Sequence, residues 1–198
     1  MQKATVTIVG KSPLLMHNGQ LSDPLNPFTK ELKALTSKTK KTDEDHMAIA
    51  HAEWKGGLYL SEIDKKTIVI PSKMIEAVMV EGAKENKLGK AFKAAVLCPE
   101  MEYPLQYDGP KDTAKLWEEG YVLTTSVKVG TARCQRSRPI FPTGWSLTFD
   151  VEIDTDSINP SDVIEALGKS RATLGDWRPK YGRFDVESFI FDGEELIP

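Results

Sequence analysis

Cysteine is scarce here: the 198 residues include two, Cys98 and Cys134, and neither belongs to a CxxC pair. That spacing argues against a metal cage built on thiolates, and both thiols read as small core or near-core residues, reduced in a cytosolic setting. Long apolar runs are also missing; none approaches the ~20 residues a membrane helix needs. The first residues, MQKATVTIVGKSPLLM, alternate polar and apolar side chains and lack the continuous apolar centre of a signal peptide, so they read as a first strand and the expected location is the cytoplasm. No GxSxG, GxxxxGK[ST] or GxGxxG occurs, so an enzyme reading has no named nucleophile or phosphate loop behind it. An excess of positive charge is absent too. The formal net charge is −3, which by itself argues against a chain coated in nucleic acid.

What is present is segregation of charge. Acids gather in EIDTD, DGEEL and TDEDH, bases in KELKALTSKTKK, KENKLGKAFK and RCQRSR. Contact is made by one face of a protein, so a basic groove on an acidic body is compatible with the net charge. Periodicity supplies the elements. Thr5 to Val9 alternates as a strand, and residues 11–42 read as a long, mobile basic insertion with little regular structure. DEDHMAIAHAEW starts as a helix and ends at Gly56-Gly57. LYLSEI and TIVI suggest a hairpin, with Ser72 capping the helix that follows. WSLTFDVEI is the clearest strand, with Trp145, Leu147, Phe149, Val151 and Ile153 on one face. Asn159 and Pro160 open a further helix, and DVESFIF closes the chain as a strand. The order predicts a single α+β domain over 1–198: a ferredoxin-like or RNA-recognition-type antiparallel sheet with helices on one face, long loop insertions, and the other face open to a ligand.

Gly175 to Phe184, GDWRPKYGRF, concentrates the chemistry. Its glycines allow the bends that a close phosphate requires. Arg178 and Arg183 offer forked donors, Lys180 a point charge, and Trp177 and Tyr181 flat faces for unpaired bases; the competing reading places the rings in the core beneath a turn. RCQRSR puts Arg136 and Arg138 on one side of an irregular or edge strand, with Arg133 nearby. They serve either an anion between them or protection of a solvated edge. Lys38, Lys40 and Lys41 belong either to a solvated loop or to a thumb that orders over a strand. His17 follows a strand end and either touches a ligand or caps the strand. His46 and His51 stand among Asp43, Glu44, Asp45 and Glu53, which suggests a divalent-metal nuclease as an alternative, but histidines five apart do not share a helix face.

Three segments resemble the RAMP superfamily, and within it the backbone subunits of CRISPR effector complexes. They are the early strand with GKSPLLM, the segment IPSKMIEAVMVEGAK, and the ending WSLTFDVEI, SDVIEALGKSRATL, GDWRPKYGRF and DVESF. The family's last loop is usually richer in glycine, and the chain is shorter than most backbone subunits, which points to a stand-alone, phage-encoded relative. The resemblance implies an RNA-recognition-type fold, single-stranded nucleic acid as partner, and self-association into filaments; the residues themselves add the expectation of little sequence preference and of no membrane, cofactor or metal. The residues expected to carry it are His17, Lys38, Lys40, Lys41, Lys73, Arg133, Arg136, Arg138, Trp177, Arg178, Lys180, Tyr181 and Arg183. A third reading is a protein-interaction or inhibitor subunit of a nucleoprotein complex.

Overall fold

The computed structural model describes residues 1–196. In chain order the elements are β1 (Gln2–Gly10), β2 (Leu14–Leu15), α1 (Pro27–Thr36), α2 (Asp43–Gly57), β3 (Val69–Pro71), α3 (Ser72–Ala83), α4 (Gly89–Ala95), β4 (Val96–Leu97), β5 (Glu102–Pro104), α5 (Thr113–Glu118), β6 (Val122–Val129), β7 (Ala132–Phe141), β8 (Ser146–Ile153), α6 (Pro160–Gly168), β9 (Phe184–Phe191) and β10 (Glu194–Glu195). Helices and antiparallel strands are mixed, so the class is α+β. Among the described residues no helix is long and apolar enough to cross a membrane. The described residues group into two compact units: one contains Met1–Leu14, Leu60–Asp108 and 142–196, the other Leu15–Tyr59 and Gly109–Phe141.

The first unit is built on a sheet of order β10-β9-β1-β8-β4. Alternation fixes its faces. Ala4, Val6 and Ile8 pair with Val151, Phe149 and Leu147, and all six are buried. A slip of one residue would turn every one of them to the other side. That apolar face lies with α3 and α6, whose buried stripes are Ile75, Val78, Met79 and Val163, Ala166, Leu167. The two helices approach so closely that a Cβ on Gly82 would sit 1.9 Å from the Ala166 carbonyl oxygen. The opposite face carries Thr5, Thr7, Thr148, Asp150 and Glu152. There Lys3 bonds Asp150 at 2.9 Å, and the Thr5 hydroxyl donates to the same carboxylate at 2.7 Å.

Two local expectations change. Ser72 is the first helical residue of α3 and Pro71 its N-cap, with no side-chain bond to the helix end; the Ser72 N–H is donated to the Met101 carbonyl at 3.0 Å. The hairpin expected from LYLSEI and TIVI shrinks to one bridge, Leu60 with Ile68, and Val69–Pro71 pairs with β5 instead. Asp64 explains this. Its carboxylate accepts from the Thr67 hydroxyl and from the N–H groups of Lys66 and Thr67, closing a wide turn that replaces ladder bonds.

The second unit packs α1 and α2 with the β6–β7 hairpin. The stretch 11–42, expected to be irregular, holds β2, a 3-10 turn at Gly19–Ser22 and α1. The last follows from Asn26, which accepts the Phe28 N–H, and from Pro27 at the first helical position. Thr42 and Asp45 cap α2 reciprocally. Gly130, at φ +60°, supplies the first of two turn residues between β6 and β7. β7 lies between β6 and the two-residue β2, so it has a strand on both sides only over a short stretch. Where short β2 ends, the buried Glu53 carboxylate takes over, accepting the Ser137 N–H at 2.8 Å.

Candidate nucleic-acid interface

The loop between α6 and β9 is anchored at its base and open at its tip. Leu174 donates its N–H to the Gly182 carbonyl, and Gly182 donates to the Pro13 carbonyl, both at 2.9 Å. The Arg183 N–H is donated to the buried Ser12 hydroxyl at 2.9 Å, while Lys11 and Ser12 donate back to the Arg183 carbonyl. Gly182 is required there: at φ +72°, an added Cβ would fall 1.6 Å from the Leu174 carbonyl oxygen. Trp177 has φ +49°, a left-handed conformation that costs a non-glycine residue about 1–3 kcal/mol and persists where the surroundings hold it. The Trp177 and Tyr181 rings stand 6.4 Å apart, and Lys180 Nζ lies 5.6 Å from the Tyr181 ring centre. Both rings are half-buried, while Arg178, Lys180 and Arg183 are exposed. This arrangement is intermediate between the two readings of the loop: the rings pack on each other yet keep part of their faces in solvent.

Arg178 leads into a feature that single-residue reading missed. It lines a depression of about 460 Å³ with Arg171, Ser170, Thr173 and Glu81. Glu81 also lines the next depression, about 340 Å³, with Lys73, Glu76, Lys84 and Lys93. Lys84 and Lys93 in turn line a third, about 270 Å³, with Lys87 and Lys90. Shared residues thus link three hollows into one track across the first unit, bearing seven cations and two carboxylates. Helix geometry sets part of this track: Lys73, Ala77, Val80 and Glu81 recur every three or four residues on α3, opposite its buried stripe.

Glu81 is bonded to Lys84, which holds its carboxyl below the ordinary range with help from Arg178 and Arg171. Arg171 lies 3.9 Å from Glu85. Among the described residues, Lys73, Lys87, Lys90, Lys93 and Arg178 carry no ion pair. The signal was present in KENKLGKAFK, whose lysines recur at 84, 87, 90 and 93. A short helix over KAFKAAVL was legible as well, and α4 is that helix; what sequence could not give was the 3-10 turn at Lys84–Asn86 before it, which gathers the lysines around Gly89.

The remaining candidates belong to the second unit. Lys38 is ion-paired with Asp45, and Lys41 donates to the Lys38 carbonyl at 2.6 Å. Lys40 and Arg133 are exposed, Arg138 is half-buried, and His17 accepts the Tyr59 hydroxyl on its carbonyl at 3.0 Å. Arg136 does share a face of β7 with Arg138, but its charge is already answered: it pairs with Glu53 at 3.0 Å. Among the described residues no group of three or more His, Cys, Asp or Glu is arranged to hold a metal ion. His51 packs its ring on Trp54 and Trp117, with centres 5.9 and 5.0 Å away.

The sequence matches no protein-family model and no curated protein.

Proposed function

We propose that the chain binds single-stranded nucleic acid with little sequence preference, through the cationic track and the Trp177–Tyr181 loop of its first unit. The observation that carries this reading is the track itself: seven cations against two carboxylates, joined across three hollows. Phosphates every few ångströms along a strand would relieve the repulsion among those cations. The rings of the loop would stack on splayed bases, worth ~1–3 kcal/mol each where such stacking is measured. The sheet's other face is a poorer partner than first expected, since Asp150 and Glu152 lie on it and Lys3 is bonded to Asp150.

The fold we assign to the first unit is ferredoxin-like, of the RNA-recognition type. In support, the strands β9-β1-β8-β4 are ordered fourth, first, third, second, neighbours are antiparallel, and α3 and α6 fall after the first and third strands. That order agrees with a RAMP-type relationship, to which we attribute the anchored glycine loop and a tendency to assemble along the strand. The test is fluorescence anisotropy with labelled DNA and RNA oligonucleotides at low and high salt, accompanied by light scattering. Tight binding at low salt, lost in the Lys87→Glu, Lys90→Glu double variant, is expected. Equal binding by the variant, or none by the parent, removes the reading.

A further inference from the structure

The second unit holds a cavity of about 850 Å³ that the proposed function does not use. Its surface is mostly apolar, with Met47, Ile49 and Ala50 of α2, Trp117 of α5 and Val122 of β6, and Glu53 and Arg136 are among its polar lining. The volume is within the 300–1,000 Å³ typical of small-molecule sites.

Three properties define what would fit. The first is charge. Lys41, Asp43, Glu53 and Arg136 line the cavity as two cations and two anions, so an ionised ligand body gains no net attraction. The second is hydrogen bonding. Both Glu53 oxygens are occupied, one by Arg136 and one by the Ser137 N–H. A guanidinium has five N–H donors, and the Arg136 side chain keeps 36% of its surface exposed, so donors remain for an acceptor on the ligand. The third is shape. Trp117 is braced edge-on by His51 and Trp54 at 5.0 and 5.4 Å, giving a fixed flat wall. We propose that this cavity binds a nucleobase: an uncharged, planar heterocycle with acceptors on its edge, lying along Trp117 with that edge toward Arg136. The base could come from a free nucleoside or from an unpaired position in a strand. The inference uses residues of the second unit only and stands independently of the cationic track.

The experiment labels the methionine methyl groups with carbon-13 and follows Met47, which lines the cavity, by NMR in the full chain. Adenosine, cytidine, uridine and thymidine are titrated, then an oligonucleotide and an abasic strand of equal length. In parallel, iodoacetamide labelling of Cys134, a half-exposed lining residue, is timed by mass spectrometry. The expected result is a saturable Met47 shift and slower Cys134 labelling with a base-bearing ligand. Ala50→Phe, which projects a ring into the cavity beside Trp117's wall, should weaken this at least about tenfold while the buried Met16 and Met79 methyls hold their positions. A response to nucleosides identifies a free ligand; a response to the oligonucleotide but to neither nucleosides nor the abasic strand identifies a strand base. No Met47 shift with any base-bearing ligand overturns the proposal, as does a shift of equal affinity in Ala50→Phe or with the abasic strand. Anisotropy of the labelled oligonucleotide with the Lys87→Glu, Lys90→Glu variant, set beside nucleoside titration of Met47 in that variant, reports the track separately, so either reading can fail without the other.

Discussion

Neutralising two lysines of the track, Lys87→Gln with Lys90→Gln, should flatten the salt dependence of binding by a calculable amount. Five cations of the track carry no ion pair among the described residues: Lys73, Lys87, Lys90, Lys93 and Arg178. If each neutralises one phosphate, log K falls against log salt with a slope of about −0.7 per contact for a single strand, or roughly −3.5 in all. Between 50 and 200 mM salt the parent should therefore lose affinity by roughly 130-fold. With two contacts removed the slope becomes about −2.1 and the loss roughly 18-fold. Anisotropy titrations at four or five salt concentrations measure both slopes. Neither Lys87 nor Lys90 is buried or bonded to a carboxylate, so thermal stability should be unchanged and serves as the control. Equal slopes in parent and variant would refute the placement of phosphates on this track. A parent slope near zero would refute electrostatic binding altogether.

Removing one partner of the half-buried pair, Glu53→Gln, should destabilise the protein by about 1–3 kcal/mol, read from urea unfolding, because Arg136, 36% exposed, loses its counterion; a loss under about 0.5 kcal/mol would show that the pair is solvated. Gly82→Ala should cost about 1–3 kcal/mol, since its Cβ would meet backbone at 1.9 Å and α3 must move off α6. Native protein at pH 8 should react rapidly with thiol reagents at Cys134 and slowly at Cys98, whose thiol is pushed up to about 12 by burial and by nearby Glu76; equal rates by peptide mapping would contradict that burial. The Asp64 carboxyl, lowered to about 2 by bonds from Thr67 and Lys66, favours the folded state above the unfolded-state value and loses that contribution as pH falls through its folded value. NMR titration of its side chain should therefore show it ionised at pH 3, and a midpoint near 4 would count against the turn.

Alternation alone determined much of this protein. WSLTFDVEI specifies its own buried face whatever its neighbours are, because a period of two leaves no choice of side. The caps at Thr42 and Asn159 and the proline at 160 start helices through bonds within four residues. Tertiary structure decided what depends on distant partners. Val69–Pro71 exchanged its expected hairpin partner for β5, and β7 acquired a strand on both sides over a short stretch. Whether a cation is available was equally beyond the sequence. Arg136 and Arg178 look alike in composition, yet one meets a carboxylate 83 positions earlier in the chain and the other lies open in a hollow with Arg171. Short-range bonding and periodicity can be read along the chain because their partners are adjacent in it; charge pairing and concavity arise only when remote segments meet.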